Sequence, residues 1–435
     1  MRVPEPAPNA NNNVASTLIL QELPAEQRGW RPIFRALRHR NFRLFVMGQI
    51  VSLVGTWMQM VAQSWLVYRL TRSEWLLGAT SFCTQMPVFV LGPLGGLAAD
   101  RYSRHKLVLL TQTLAMLQAL ALALLTLTGK IQVWQVLALA LALGVVNAFD
   151  MPGRQSLIIQ LSGKEDLLNA ISLNSAIFNA ARVVGPALAG VLVAGLGEGF
   201  CFLLNGLSFL AVLACLSAMR LPGSQGRVPY SPWAHLLDGF RYAHRAPLVR
   251  ALLGLMAAAS ICGVPVQVLM PFFADDIFHR GSQGLGVLMG AMGIGAVIGT
   301  LVLAKRSKTS GLTEVIFFSS LGLGAGLALF SISPYFSLAL AIMPVIGFSV
   351  MRQNASANTL IQVSIPDEYR GRIMALYSMT VVGMGPFGSL AAGALAERFG
   401  ARLTVLLGGL LCLMAASLFR LRCPRSVPEP TPKHH

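Results

Sequence analysis

Charged side chains are scarce over most of this chain, so the few that interrupt apolar runs are the first candidates for chemistry. Arg182 stands about twelve residues into the run 169–195, roughly 18 Å along a helix rising 1.5 Å per residue. A lone guanidinium at that depth is costly in hydrocarbon, and its fork of donors suits an anion such as a carboxylate or a catecholate. The alternative is a structural pair with a helix carbonyl or a distant acid. Arg352, in the run 335–358, lies nearer the end of its run, where a long side chain can snorkel to water. Asp150 falls near the end of the run 133–152, and no Asp or Glu falls at the middle of any run. Amides form the second set. Gln59 and Gln63 are one turn apart and share a face with Thr56. With Gln49, Gln85, Asn147, Asn205, Gln267, Gln353, Asn354 and Asn358, they either line a polar cavity or bond helix to helix. Trp57, Met58 and Trp65 add apolar surface beside them.

The elements that must position these groups follow from composition. Of 435 residues, 54% are apolar and 12% charged, against about 25% charged in soluble proteins. Mean hydropathy is +0.63. These values exclude a soluble enzyme, a disordered chain and a collagen-like fibre, and define an all-α polytopic membrane protein. Twelve apolar runs are expected to span the membrane: 42–69, 75–98, 107–128, 133–152, 169–195, 199–218, 248–273, 284–303, 312–331, 335–358, 372–396 and 403–419. Each is about twice as long as a barrel strand and continuously apolar, so backbone hydrogen bonding in lipid favours helices. The division is a cytoplasmic tail with an interfacial basic helix over 1–41, a six-helix bundle over 42–218 and a central cytoplasmic loop over 219–247. A second six-helix bundle over 248–419 and a tail over 420–435 complete it. The six cysteines lack metal-ligand spacing and read as small hydrophobes. No phosphate loop, HExxH or other metal cluster is found, so catalysis, a cofactor and a metal are not expected.

The net charge of +17 would suit nucleic acid or an acidic surface if it were clustered. It is instead distributed by side. With both termini in the cytoplasm, 26 Lys and Arg lie inside and six lie outside, namely Arg69, Arg72, Lys130, Arg280, Arg398 and Arg402. That is the positive-inside pattern, and nucleic acid is not an expected partner.

The two halves repeat. Phe34-Arg35 and His39-Arg40 before the first run recur as Phe240-Arg241 and His244-Arg245 before the seventh. Gly185-Pro186 recurs as Gly385-Pro386. Parallel duplicated six-helix halves are a transporter pattern. Between the second and third runs the chain reads GLAADRYSRHK, residues 96–106. This resembles the signature loop of the major facilitator superfamily, with Ala98 and His105 as departures. The blocks Asp150-Met-Pro-Gly-Arg154-Gln, Leu168-Asn-Ala-Ile-Ser-Leu-Asn174 and Arg182-Val-Val-Gly-Pro186-Ala-Leu-Ala-Gly190 resemble its transmembrane secretion effector branch, which contains the enterobactin exporter.

The resemblance, over about residues 40–420, implies a secondary transporter in a bacterial inner membrane. It would export a small amphipathic molecule, a siderophore or drug, by alternating access and proton antiport, as a monomer among membrane lipids. A proton-symport importer of the same fold and a non-transporting scaffold or sensor are the alternatives. Gly96, Asp100, Arg101, Arg104, Lys106 and Asp150 are expected to form a gating latch. In it Asp100 caps the start of span 11, the cations pair with Asp150 or lipid phosphate, and Gly96 permits close helix approach. Gly185, Pro186 and Gly190 resemble an antiporter motif on span 5, which is expected to cross span 8. Gln59, Gln63, Arg182, Asn205, Gln267, Arg352 and Asn354 are the substrate-cavity candidates. Asp150 is the best-placed proton carrier.

Overall fold

The computed structural model describes residues 31–163, 165–219, 240–263, 265–306 and 310–423. The expected N-terminal tail up to residue 30, most of the central loop and the C-terminal tail from 424 lie outside the described residues. Among the described residues, twelve helices are long and apolar enough to cross a membrane. The first half holds α1 (Arg40–Thr71), α2 (Glu74–Arg101), α3 (Arg104–Leu127), α4 (Val133–Ser162), α5 (Leu167–Leu196) and α6 (Glu198–Ser217). The second holds α7 (Pro247–Ile277), α8 (Gly281–Ala304), α9 (Leu312–Ile332), α10 (Phe336–Ser364), α11 (in two pieces, Asp367–Gly383 and Gly385–Phe399) and α12 (Ala401–Arg422).

Helix ends follow local chemistry. The Ser73 hydroxyl accepts the Leu76 amide at 3.3 Å and caps α2. Single glycines with positive φ join α5 to α6 (Gly197, φ 85°) and α11 to α12 (Gly400, φ 83°), a repeat of the same tight corner in both halves. α7 is interrupted by π-turns at Ala259–Gly263 and Phe273–Ile277, a local widening that recurs at functional sites. α4 runs ten residues beyond its expected end because Leu157, Ile158 and Leu161 bury a continuing apolar face. Asp150 therefore sits inside a helix and not at its end.

Duplication is visible in the packing. α2 lies on α4 as α8 lies on α10, and α3 lies on α6 as α9 lies on α12. Small residues make these contacts, as in membrane helix pairs generally. A Cβ on Gly95 would collide with the Ala148 carbonyl of α4, and one on Gly295 with the Pro344 carbonyl of α10. Gly96, expected at this contact, has nothing within 4 Å of such an atom. One residue is 100° of helical rotation, so only Gly95 faces α4.

The halves meet along two seams, α5 against α8 and α2 against α11. At the end away from the chain termini, one apolar core runs across both halves, from Val61, Leu66 and Tyr68 of α1 to Phe272, Leu285 and Leu288 of the second half. At the terminal end each half has its own core: Phe42, Val108, Leu157 and Leu216 in the first, Leu252, Ile316, Leu360 and Ile373 in the second. The molecule is thus joined at one end and divided at the other.

Candidate functional site

At the joined end, polar contacts reinforce the apolar core. Arg72, in the turn after α1, pairs through Nη1 with Asp276 at 2.9 Å and with Asp275 at 3.2 Å, both at the end of α7. Tyr68 donates its hydroxyl to Asp275 at 2.7 Å and lies edge-on to Phe272. On the other seam, Glu397 of α11 accepts from the Ser73 hydroxyl at 3.0 Å and from the Trp75 amide at 3.1 Å. These contacts bridge the halves. Apart from Arg72, counted with the outward cations, the residues making them are not among those that the sequence pattern singles out. The available signal was the presence of four charges, Arg69, Arg72, Asp275 and Asp276, just after the equivalent first and seventh spans.

Below this seal, near the middle of the seams, lies a cavity lined by Arg182 and Pro186 of α5, Trp57 of α1, Gln267 of α7, Met289 and Met292 of α8, and Met351 of α10. α5 reaches it by close backbone approach. A Cβ on Gly185 would lie 2.5 Å from Trp57 Cβ in α1, and one on Gly286 would lie 2.6 Å from the Pro186 carbonyl. Gly190 sits against Ser282 and Gly286 of α8, and the Arg182 carbonyl sits against Gly293. Span 5 thus crosses span 8 through Pro186 and Gly190, while Gly185 of the same motif packs against span 1. Nε and Nη2 of Arg182 are buried and have no hydrogen-bond partner among the described residues. No residue lining the cavity is acidic.

The other cavity candidates fall elsewhere. Gln59 donates to Gln118 of α3 at 3.0 Å and accepts from Asn205 of α6 at 2.7 Å, a chain closed inside the first bundle. Gln59 and Asn205 therefore bond helix to helix. Gln63 is buried on the same helix. Arg352 lies over the Phe348 ring, 5.4 Å from its centre. The backbone carbonyl of Asn354 accepts from the Tyr377 hydroxyl at 2.7 Å.

The expected latch is not formed in this structure. Asp100, Arg101 and Lys106 are exposed, and among the described residues Asp100 makes no hydrogen bond or ion pair. Asp150 pairs with Arg154, one turn on in α4, at 2.7 Å. It also accepts from Thr111 and Gln112 of α3, both at 2.8 Å. Its expected partners Arg101, Arg104 and Lys106 lose to a cation on the same helix face. Arg154 in turn donates to Gln49 of α1 at 3.2 Å. The buried acid is thus central to a polar network of three helices of one bundle, at the divided end.

The basic stretch before α1 forms a short helix, Arg31–Arg38, against the start of α5. Arg35 and Arg38 pair with Asp166 at 3.1 and 2.8 Å, and His39 bonds it at 2.9 Å. Burial raises the Asp166 pKa, but the His39 bond and the two guanidiniums outweigh it and hold the carboxyl below its ordinary range. The Asp166 side chain is fully buried beneath Arg35, Arg38 and His39.

A sealed end, a divided end and a central cavity between two duplicated six-helix halves define a membrane transporter of the major facilitator type. The chain belongs to the transmembrane secretion effector family, whose model matches residues 31–431. It is similar to the staphyloferrin A transporter of Staphylococcus aureus, at 27% identity over 383 residues covering 87% of this chain and 95% of that protein. It is also similar to the enterobactin exporter EntS of Shigella boydii, at 28% identity over 403 residues covering 88% and 94%. Among solved structures, the nucleoside transporter NupG shares the fold with a TM-score of 0.72 at 16% identity, covering 88% of this chain and 98% of that one. A D-xylose-proton symporter does so with a TM-score of 0.68 at 14% identity, covering 88% and 98%.

Proposed function

We propose that this chain exports a siderophore-like small molecule from the bacterial cytoplasm by alternating access, in exchange for protons. The observation that carries the reading is that the two halves share one core and bridging contacts at the end away from the termini and keep separate cores at the other. The positive-inside distribution supports a cytoplasmic divided end, from which this state would accept cargo. The names of the staphyloferrin A and enterobactin relatives support a siderophore-like cargo. Export then requires the Arg72–Asp275–Asp276 and Ser73–Glu397 contacts to part while the divided end closes. In that second state Asp100 meets the start of α11, and Gly95 keeps α2 and α4 moving as one body.

Proton exchange is assigned to Asp150, the buried carboxylate at the divided end. Protonation would remove its pairing with Arg154 and free that guanidinium toward Gln49, so one proton alters contacts among α1, α3 and α4. The direct test of function is metabolite profiling of a deletion strain under iron limitation. Intracellular accumulation and extracellular loss of an iron chelator, restored by the gene, is the expected result. Unchanged distribution under both iron limitation and antibiotic challenge would contradict export.

A further inference from the structure

We infer that Arg182 is the specificity-determining anion receptor of this transporter, so the site selects a ligand by its negative charge. The ligand is an amphipathic anion whose charged group enters the cavity of about 40 Å³ beside Trp57, Met289, Met292 and Met351. This inference rests on the transporter reading and names the ligand class of the same cavity.

The argument begins with charge balance. A guanidinium stays protonated at any physiological pH, so Arg182 cannot escape burial by losing its proton. Other charges at membrane depth have a partner within the protein: Arg154 has Asp150 at 2.7 Å, and Arg352 has the face of Phe348. Arg182 has neither, with Nε and Nη2 both buried and unbonded. The cavity wall offers no carboxylate. A buried donor pair without an acceptor is expensive to maintain, and the acceptor that completes it must come from outside the chain. Two donors side by side match the two oxygens of a carboxylate or a deprotonated catechol.

Position argues in the same direction. The Arg182 backbone lies on Gly293, at the seam between the halves, and Gln267 reaches the cavity from between the two π-turns of α7. An anion on Arg182 would touch both halves and bear on the contacts that part during transport. The remaining wall is soft: three methionines on flexible chains and Trp57, itself set edge-on to Phe178 at 5.6 Å. Such surfaces accept apolar bodies of varied shape without fixing orientation, which leaves charge recognition to Arg182.

The test compares two isosteres that differ in charge, 2,3-dihydroxybenzoate and its neutral amide, 2,3-dihydroxybenzamide. Equilibrium binding of each is measured on the purified full-length protein. The carboxylate is expected to bind about tenfold more tightly than the amide, the scale of a charge-assisted hydrogen bond. Arg182→Gln should erase that preference. Arg182→Lys should keep part of it, since the charge remains but the fork is lost. The melting temperature of Arg182→Gln should equal or exceed that of the wild type, because an unpaired buried charge is removed. Equal affinity for the two ligands, or no binding of the carboxylate, would overturn the inference. So would a Gln variant that loses both ligands and melts lower, as a structural arginine would. Binding is read without reference to direction, so a failure of export in cells leaves this result standing, and the converse holds.

Discussion

Arg154 closes on Asp150 at 2.7 Å, while Arg182, near the middle of its apolar run, leaves two buried donors without a partner among the described residues. The depth of Arg182 was legible because an ionisable residue inside a long apolar run has few innocent explanations. The Asp150–Arg154 pair was also available at i, i+4, but a span ending at 152 hid it by placing Arg154 outside. Gln59 and Asn205 were misassigned to the cavity because an amide on an apolar helix looks the same whether it faces a ligand or a neighbour. Only the Gln118 and Asn205 contacts distinguish the two. Asp150→Ala leaves Arg154 without its acid and should cost about 3 kcal/mol, read as a lower melting temperature. Asp166 gives a pH signature. Its carboxyl is held below the ordinary range when folded, so its contribution is present above the unfolded pKa and lost as pH falls through the folded one. The gap in melting temperature between wild type and Asp166→Asn should therefore be largest near neutrality and shrink below about pH 4. A gap that is constant down to pH 3 would contradict this account of the cluster.

Helix pairing depends on which face a glycine occupies, and that is where the sequence is least explicit. Gly95 stands directly before Gly96 of the signature loop, and the choice between them depends on the angle at which α2 meets α4. Gly95→Ala should force the helices apart and destabilise the protein by about 1–3 kcal/mol. Gly96→Ala should be neutral or slightly stabilising, because its Cβ meets open space and alanine is the better helix former. Comparable damage from both, in a thermal melt, would mean that the contact is misplaced. The crossing of α5 with α8 was expected from the Gly185–Gly190 motif and is made there. Its partner glycines, Gly286 and Gly293, stand in a helix with so many others that the sequence could not single them out. Gly286→Val should abolish transport, as its side chain would strike the Pro186 carbonyl.

At the scale of the molecule, the twelve spans and the duplication could be read from hydropathy and from echoes such as Gly185-Pro186 and Gly385-Pro386. The state of the molecule could not. It depends on which end the halves share, and that is set by contacts between residues more than 200 apart, Tyr68 with Asp275 and Ser73 with Glu397. The central claim is that cargo is taken up at the terminal, cytoplasmic end and released when the Arg72 and Glu397 contacts part. The most direct measurement is uptake of an iron-free catecholate siderophore into inverted membrane vesicles with an acidified lumen. It is made with and without a short thiol crosslink between Ser73→Cys and Glu397→Cys, in a background lacking the six native cysteines. The account predicts accumulation that requires the proton gradient and is stopped by the crosslink. Uptake confined to right-side-out vesicles, or undiminished after crosslinking, would contradict it.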